Sequence, residues 1–322
     1  MALSPDNETT LSGQALPSVA QIGANVKTES LWVSTLRRLA RQRNAIVGAF
    51  ILLTLVLAAI LAPVIAPYDP IQSLIGVEDI RRRDKPCVHA LGCDLERPQH
   101  IMGIDGNGRD QFSRIIYGSR YSLFIGFTTV SFAIIIGTIL GAIAGYAGGI
   151  AEDIIMRFMD VLLAFPSLLL AIAIVAVLGP GLQNTLLAVG IVTIPQYARI
   201  VRGSVLSVKE QEFVEASRAL GASNFHILRK RILPNSLTPL IVAATLGIAT
   251  AILDAAALSF LGFGAQPPAP EWGAMRGTER GQIFSAPHLV FFPGIAISVT
   301  VLAFNLLGDG LRDALDPRLK GR

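Results

Sequence analysis

Five stretches of this chain contain no Asp, Glu, Lys or Arg: Ala45 to Tyr68, Tyr121 to Ala151, Val161 to Ala198, Ile232 to Leu253 and Gly281 to Gly308. A helix that crosses a bilayer needs about 20 apolar residues, and in lipid only helices or closed barrels satisfy their own backbone. The third stretch is long enough for two spans, split at Gly179, Pro180 and Gly181. The pattern predicts an all-α integral membrane protein with six transmembrane helices, at about 45–66, 121–146, 159–178, 183–202, 236–259 and 288–308. Only 16% of the 322 residues are charged, against about 25% for soluble proteins.

Orientation follows from Lys and Arg in the loops. With the N-terminus inside, the inner segments carry 17 of the 27 basic residues, although Arg81, Arg82 and Arg83 fall in an outer loop. Arg37, Arg38, Arg41 and Arg43 hold the start of the first helix inside. The expected organisation is an inner tail over 1–43, partly disordered at its polar beginning, and a first span over 44–66. An outer loop over 67–120, a transmembrane core over 121–308 and an inner tail over 309–322 follow. No cleavable signal peptide is read, because the first apolar run starts late and is long enough to span. The only cysteines, Cys87 and Cys93, share the outer loop, where a disulfide and two free thiols are both open readings.

Several chemistries have no residues to carry them. The chain lacks a phosphate-cradling G-x-x-x-x-G-K-[ST], and its four histidines (His89, His100, His226, His288) are scattered, so neither a nucleotide site nor a metal site is expected. No catalytic constellation is present. Asp254, in the fifth predicted helix, is the one acid at membrane depth and a candidate for the pathway. Pro166 should kink the third helix or mark its first turn, which makes it a candidate gate residue. Gly137, Gly141 and Gly145 recur every four residues, a spacing that lets helices pack closely. Arg109, Asp110 and Arg114 either anchor the start of the second helix, face a partner outside or form a gate.

The segment between the fourth and fifth helices, VEASRALGASNFHILRKRILPN (Val214 to Asn235), is charged and helix-prone. Val205 to Leu220 reads as one amphipathic helix with Phe213, Ala216 and Leu220 on one face. Gly221 is placed to end it in the left-handed region, Ser223 to cap a second helix over Asn224 to Arg231, and Pro234 to stop that helix. The residues alone leave two readings: a basic helix on anionic lipid, or a knob that docks in a groove of another protein.

Glu215, Ala216, Ser217, Gly221, Leu233 and Pro234 resemble the cytoplasmic "EAA" loop of ABC-importer permeases, with Ser217 at the third Ala and Arg231 where an Ile is usual. HIMGIDGNGRDQFSRIIYGSRYSLFIG (100–126), GYAGGIAEDIIMRFMDVLLAFPSLLLAIAI (145–174), LSFLGFGAQPPAPEWGAM (258–275) and NLLGDGLRDALDPRLK (305–320) resemble the second permease of dipeptide, oligopeptide and nickel importers. The resemblance covers about residues 40 to 320. It implies a type I importer permease bundle in a bacterial inner membrane, with a coupling loop over 203–235, that forms half of a translocation pathway, di- or oligopeptides being the expected cargo. It also implies a second permease, two ATPase subunits that bind the ATP and Mg, and an extracytoplasmic substrate-binding protein. The chain itself is expected to bind no cofactor and no nucleic acid and to catalyse nothing. The competing class is a stand-alone secondary transporter or channel, which would need inverted repeats and buried ion ligands.

Overall fold

The computed structural model describes residues 37, 39, 40 and 42–315. The expectations for the first tail and the last residues therefore lie largely outside the described residues. The chain is helical, and the described residues form only isolated β-bridges. The first helices are α1 (Arg43–Ile60), α2 (Ala62–Ile65), α3 (Gln111–Ala147), α4 (Gly149–Leu163), α5 (Ser167–Leu178) and α6 (Leu182–Lys209). Then come α7 (Glu212–Ala219), α8 (Asn224–Ile227), α9 (Leu233–Ser236), α10 (Thr238–Phe260), α11 (Trp272–Glu279) and α12 (His288–Leu315).

Among the described residues, four helices (α1, α3, α10, α12) are long and apolar enough to cross a membrane. The predicted third helix is not a straight rod. It is split into α4 and α5, which meet at 91° around Ala164, Phe165 and Pro166. Pro166 is the N-cap of α5: its ring cannot continue α4 inward, so the chain turns there. The predicted fourth helix exists as α6, 28 residues long, but Gln183, Asn184, Gln196, Arg199 and Arg202 make it much more polar than the others. A count of six is reached only with the bent pair and α6 included.

Two helix ends differ from expectation for local reasons. α3 begins ten residues early, at Gln111, because Asp110 caps it; its carboxylate accepts from the Ser113 backbone N–H and hydroxyl, both at 2.7 Å. α12 runs on to Leu315 past the predicted Gly308, so part of the expected tail is helix.

Packing centres on α3 and α6, which share the most extensive contact in the chain. The glycine ladder makes that contact. A Cβ on Gly141 would sit 2.4 Å from the Ala198 carbonyl oxygen, and one on Gly145 2.9 Å from that of Arg202. Tyr197, Ala198, Val201 and Val205 of α6 are buried against this face. On the other side α12 packs on α1 and α10.

The bundle has two ends. At one, a cap is built from residues 66–110 and 261–287. Trp272 is buried there and donates from Nε1 to the Ile115 carbonyl at 3.0 Å. Arg114 donates to the carbonyls of Pro70 (2.7 Å) and Pro268 (3.3 Å), and Arg83 pairs with Glu279 at 3.0 Å. Cys87 and Cys93 are joined, with Cα atoms 5.4 Å apart. At the other end lies the segment from α7 to α9.

Candidate functional site

The knob begins where α6 ends. The expected single helix from Val205 to Leu220 is two helices. α6 continues to Lys209, the chain bends at Glu210 and Gln211, and α7 restarts at Glu212. Glu212 and Glu215 fill the first turn of α7, where the helix dipole favours acids. Gly221 has φ +79°, and the two bonds of a Schellman ending surround it. Its N–H donates to the Arg218 carbonyl at 2.9 Å, and the Ala222 N–H donates to that of Ser217 at 3.2 Å. The Ser223 hydroxyl accepts from the His226 N–H and starts α8. Turn and cap stand where the sequence puts them.

Pro234 does not stop the second helix. Leu228 to Ile232 form a π-helical turn, in which the Leu233 N–H reaches back five residues to the Leu228 carbonyl. The widened turn accommodates a proline that lacks an N–H and would crowd the preceding turn. Pro234 then sits in the first turn of α9, and after Leu237 the chain enters α10. Asn235 Nδ2 donates to the Arg231 carbonyl and Ser236 Oγ to that of Ile232, which satisfies acceptors that the irregular turn frees.

Three apolar side chains fix the knob to the bundle: Val214, Ile227 and Ile232, all 0% exposed. Tyr146, at the end of α3, donates from its hydroxyl to Asn224 Oδ1 at 2.8 Å, while Lys209 donates to the Tyr146 carbonyl at 3.0 Å. Nearby, Arg202 and Arg199 of α6 pair with Glu152 and Asp160 of α4. The sequence reading missed Val214, Tyr146, Asn224 and Lys209. The apolar i, i+13 and i+18 spacing of Val214, Ile227 and Ile232 is too long-range to show as a helical face.

The outward side is different. Phe213, Ala216 and Leu220, the predicted face, are exposed, Leu220 by 88%. Phe225 is exposed as well, by 70%, and Glu215, Arg218 and Arg229 to Arg231 of the same segment are also exposed. Ser217 is half-buried and donates from Oγ to the Phe213 carbonyl at 2.8 Å, as a small residue tucked onto its own helix. Leu233 packs against the core.

The other candidates lie apart. Asp254 is half-buried on α10, six residues before its end, and is not brought to the knob. Pro166 marks the α4–α5 bend, where Phe158, Val161, Phe165 and Leu169 are exposed. Arg109, Asp110 and Arg114 are buried, so they do not present a surface to a partner; Asp105 holds both arginines, at 2.7 and 3.5 Å. Among the described residues no group of three His, Cys, Asp or Glu could hold a metal.

Comparisons with known proteins identify the bundle. Residues 137–321 match the family described as binding-protein-dependent transport system inner membrane component. The chain belongs to this family. Residues 30–83 also match the N-terminal transmembrane domain of oligopeptide transport permease C. The chain is 49% identical to the dipeptide transport system permease protein DppC of Alkalihalophilus pseudofirmus, over 90% of this chain and 91% of that one. It is 48% identical to the glutathione transport system permease protein GsiD of Escherichia coli, over 90% and 91%. Its fold is like that of the MetNI methionine ABC transporter in an inward-facing conformation (TM-score 0.52, 23% identity, 63% of this chain and 96% of that one). This permease is thus a multi-pass inner-membrane subunit of an ABC importer, not an enzyme. ATPase and binding-protein partners are implied in general.

Proposed function

We propose that this permease forms half of the pathway of a di- or oligopeptide importer and is driven through its knob by partner ATPases that bind ATP and Mg. The relatives named for dipeptide, di/tripeptide and glutathione transport support the cargo class. The observation that carries the coupling role is the knob's two-sidedness. Val214, Ile227 and Ile232 root it in the bundle, while Phe213, Leu220 and Phe225 stay exposed among charges. A helix face of this kind fits a groove in a partner protein. A second permease supplies the other half of the path, two ATPase subunits hold the knobs, and a binding protein delivers substrate at the cap. Both chain termini then face the cytoplasm, since the start of α1 and the end of α12 lie at the knob end. Asp254 and the bend at Pro166 are the proposed pathway and gate elements. The apolar side chains exposed at the bend supply a closure that the rocking of α4 against α5 opens.

The test is uptake together with ATP hydrolysis in the assembled importer. Glu215→Lys reverses a charge on the exposed face, and Gly221→Pro removes an N–H donor and cannot hold φ +79°. Both variants are expected to insert normally, to hydrolyse ATP without transporting, and to lose peptide uptake. Unchanged uptake in both sinks the coupling role.

A further inference from the structure

Beside the cap, where α1 ends, a cavity of about 590 Å³ opens on the flank of the bundle. Tyr117, Tyr121 and Phe124 of α3 and Ile71 form its apolar walls, and Asp69 and Arg120 bring opposite charges to its lip. Among the described residues no ion pair joins Arg120 to Asp69. Each is held in place by other groups. Arg120 donates from Nε to the Ala59 carbonyl and from Nη2 to that of Ile60 (3.0 Å), and its guanidinium lies 5.3 Å from the centre of the Tyr117 ring. Its Nη1 hydrogens remain for a ligand. Asp69 Oδ1 accepts the N–H groups of Ile71 (2.7 Å) and Gln72 (3.2 Å), which leaves Oδ2.

The depth of the site is set by its partners. Arg120 binds the last carbonyls of α1, so the charged lip lies where the apolar helix gives way to the cap. Two tyrosines at that level suit the membrane–water boundary. Deeper along α3 Phe124 is exposed and apolar, and so are Ile60, Leu61 and Val64 where α1 gives way to the cap.

We propose that this cavity binds a phospholipid whose headgroup carries both a phosphate and a primary ammonium, of the phosphatidylethanolamine kind. The phosphate meets the fixed guanidinium of Arg120, where charge-assisted bonds are strong. The ammonium donates to Asp69 Oδ2. The acyl chains run down the exposed side chains of α1 and α3. A headgroup with no amine leaves Asp69 unanswered beside a phosphate, and a quaternary amine has no hydrogen to donate. A zwitterionic peptide matches the two charges but has no use for the apolar flank. The inference does not depend on the cargo or the coupling role.

The experiment uses the assembled importer in nanodiscs of mixed phosphatidylethanolamine and phosphatidylglycerol, extracted gently, with retained lipid identified by native mass spectrometry. The wild type is expected to retain phosphatidylethanolamine above its share of the bilayer. Asp69→Asn keeps the turn acceptor and removes the charge, and should lower that enrichment roughly two- to fivefold, as loss of an exposed charge pair does. Equal retention of both lipids, in wild type and variant alike, overturns the proposal. So does displacement of the lipid by peptide, which would assign the cavity to cargo, and so does a cross-link from Ile71 to a second permease.

Discussion

The cap and the knob are both polar ends of one apolar bundle, yet they use polar residues in opposite ways. In the cap, a buried set of charges answers itself, although Asp69, Arg81 and Arg82 stay exposed at its surface. His100 lies between Asp110 Oδ1 (2.9 Å) and Glu78 Oε2 (3.1 Å), with the Tyr68 ring 5.0 Å away. Glu271 caps α11 through the N–H groups of Gly273 and Ala274. Burial opposes charge on His100, but the hydrogen bonds and charges of Asp110 and Glu78 outweigh it and raise its pKa. Burial, then Glu78, pushes the Tyr68 hydroxyl up to about 12. In the knob, charges turn outward around exposed Leu220 and Phe225. A polar group satisfied inside the chain maintains the fold; one left facing out, beside uncovered apolar surface, is available to another molecule.

That contrast can be broken by substitution. The largest stability effect is expected for Asp110→Ala, which uncaps α3 and leaves buried His100 short of a partner. A loss of roughly 3–5 kcal/mol should appear in thermal melts of the purified permease. Gly141→Val comes next, at about 2–3 kcal/mol, because the added carbons collide with the Ala198 backbone rather than with a side chain that could move. A smaller effect is expected from pH. The raised pKa of His100 stabilises the cap fully below the ordinary histidine value near 6.5, and this contribution is lost as pH rises through the higher folded value. Protection from hydrogen exchange across residues 87–104, corrected for the intrinsic rise of exchange with pH, should fall over that window in the wild type and stay flat in His100→Gln. The smallest stability change is expected in the knob. Leu220→Ser and Phe225→Ser should melt within about 0.5 kcal/mol of wild type. Uptake should nevertheless fall roughly tenfold if these side chains anchor a partner. A knob variant that melts early, or a cap variant that only uncouples, would erase the distinction.

The sequence shows the bundle because apolar runs report burial in lipid directly. It shows the C-terminal end of α7 and the start of α8 because Gly221 and Ser223 each have a local conformational reason to be there. What it hides is bonded at long range or masked by charge. α4 carries Glu152, Asp153, Arg157 and Asp160, so it reads as a loop; its pairing with Arg199 and Arg202 is visible only once α6 lies beside it. The polar first turn of α3 conceals a helix start that Asp110 makes. Pro234 reads as a stop, but a π turn upstream absorbs it. The inward orientation of Arg114 has no local signature, since its partners are Asp105 and the carbonyls of Pro70 and Pro268, whereas Arg109 pairs with Asp105 only four residues away.

The π turn has a mechanical consequence. Because Pro234 is absorbed rather than allowed to break the chain, the backbone stays helical almost without interruption from Asn224 to Phe260. The knob is thereby the short arm of a crank whose long arm is α10. At 1.5 Å per residue that arm is about 34 Å long, and a tilt of about 5° at the knob sweeps Phe260 through about 3 Å. The wide turn and the break at Leu237 are the two places where this shaft lacks regular helical hydrogen bonding, so they are where it bends most easily.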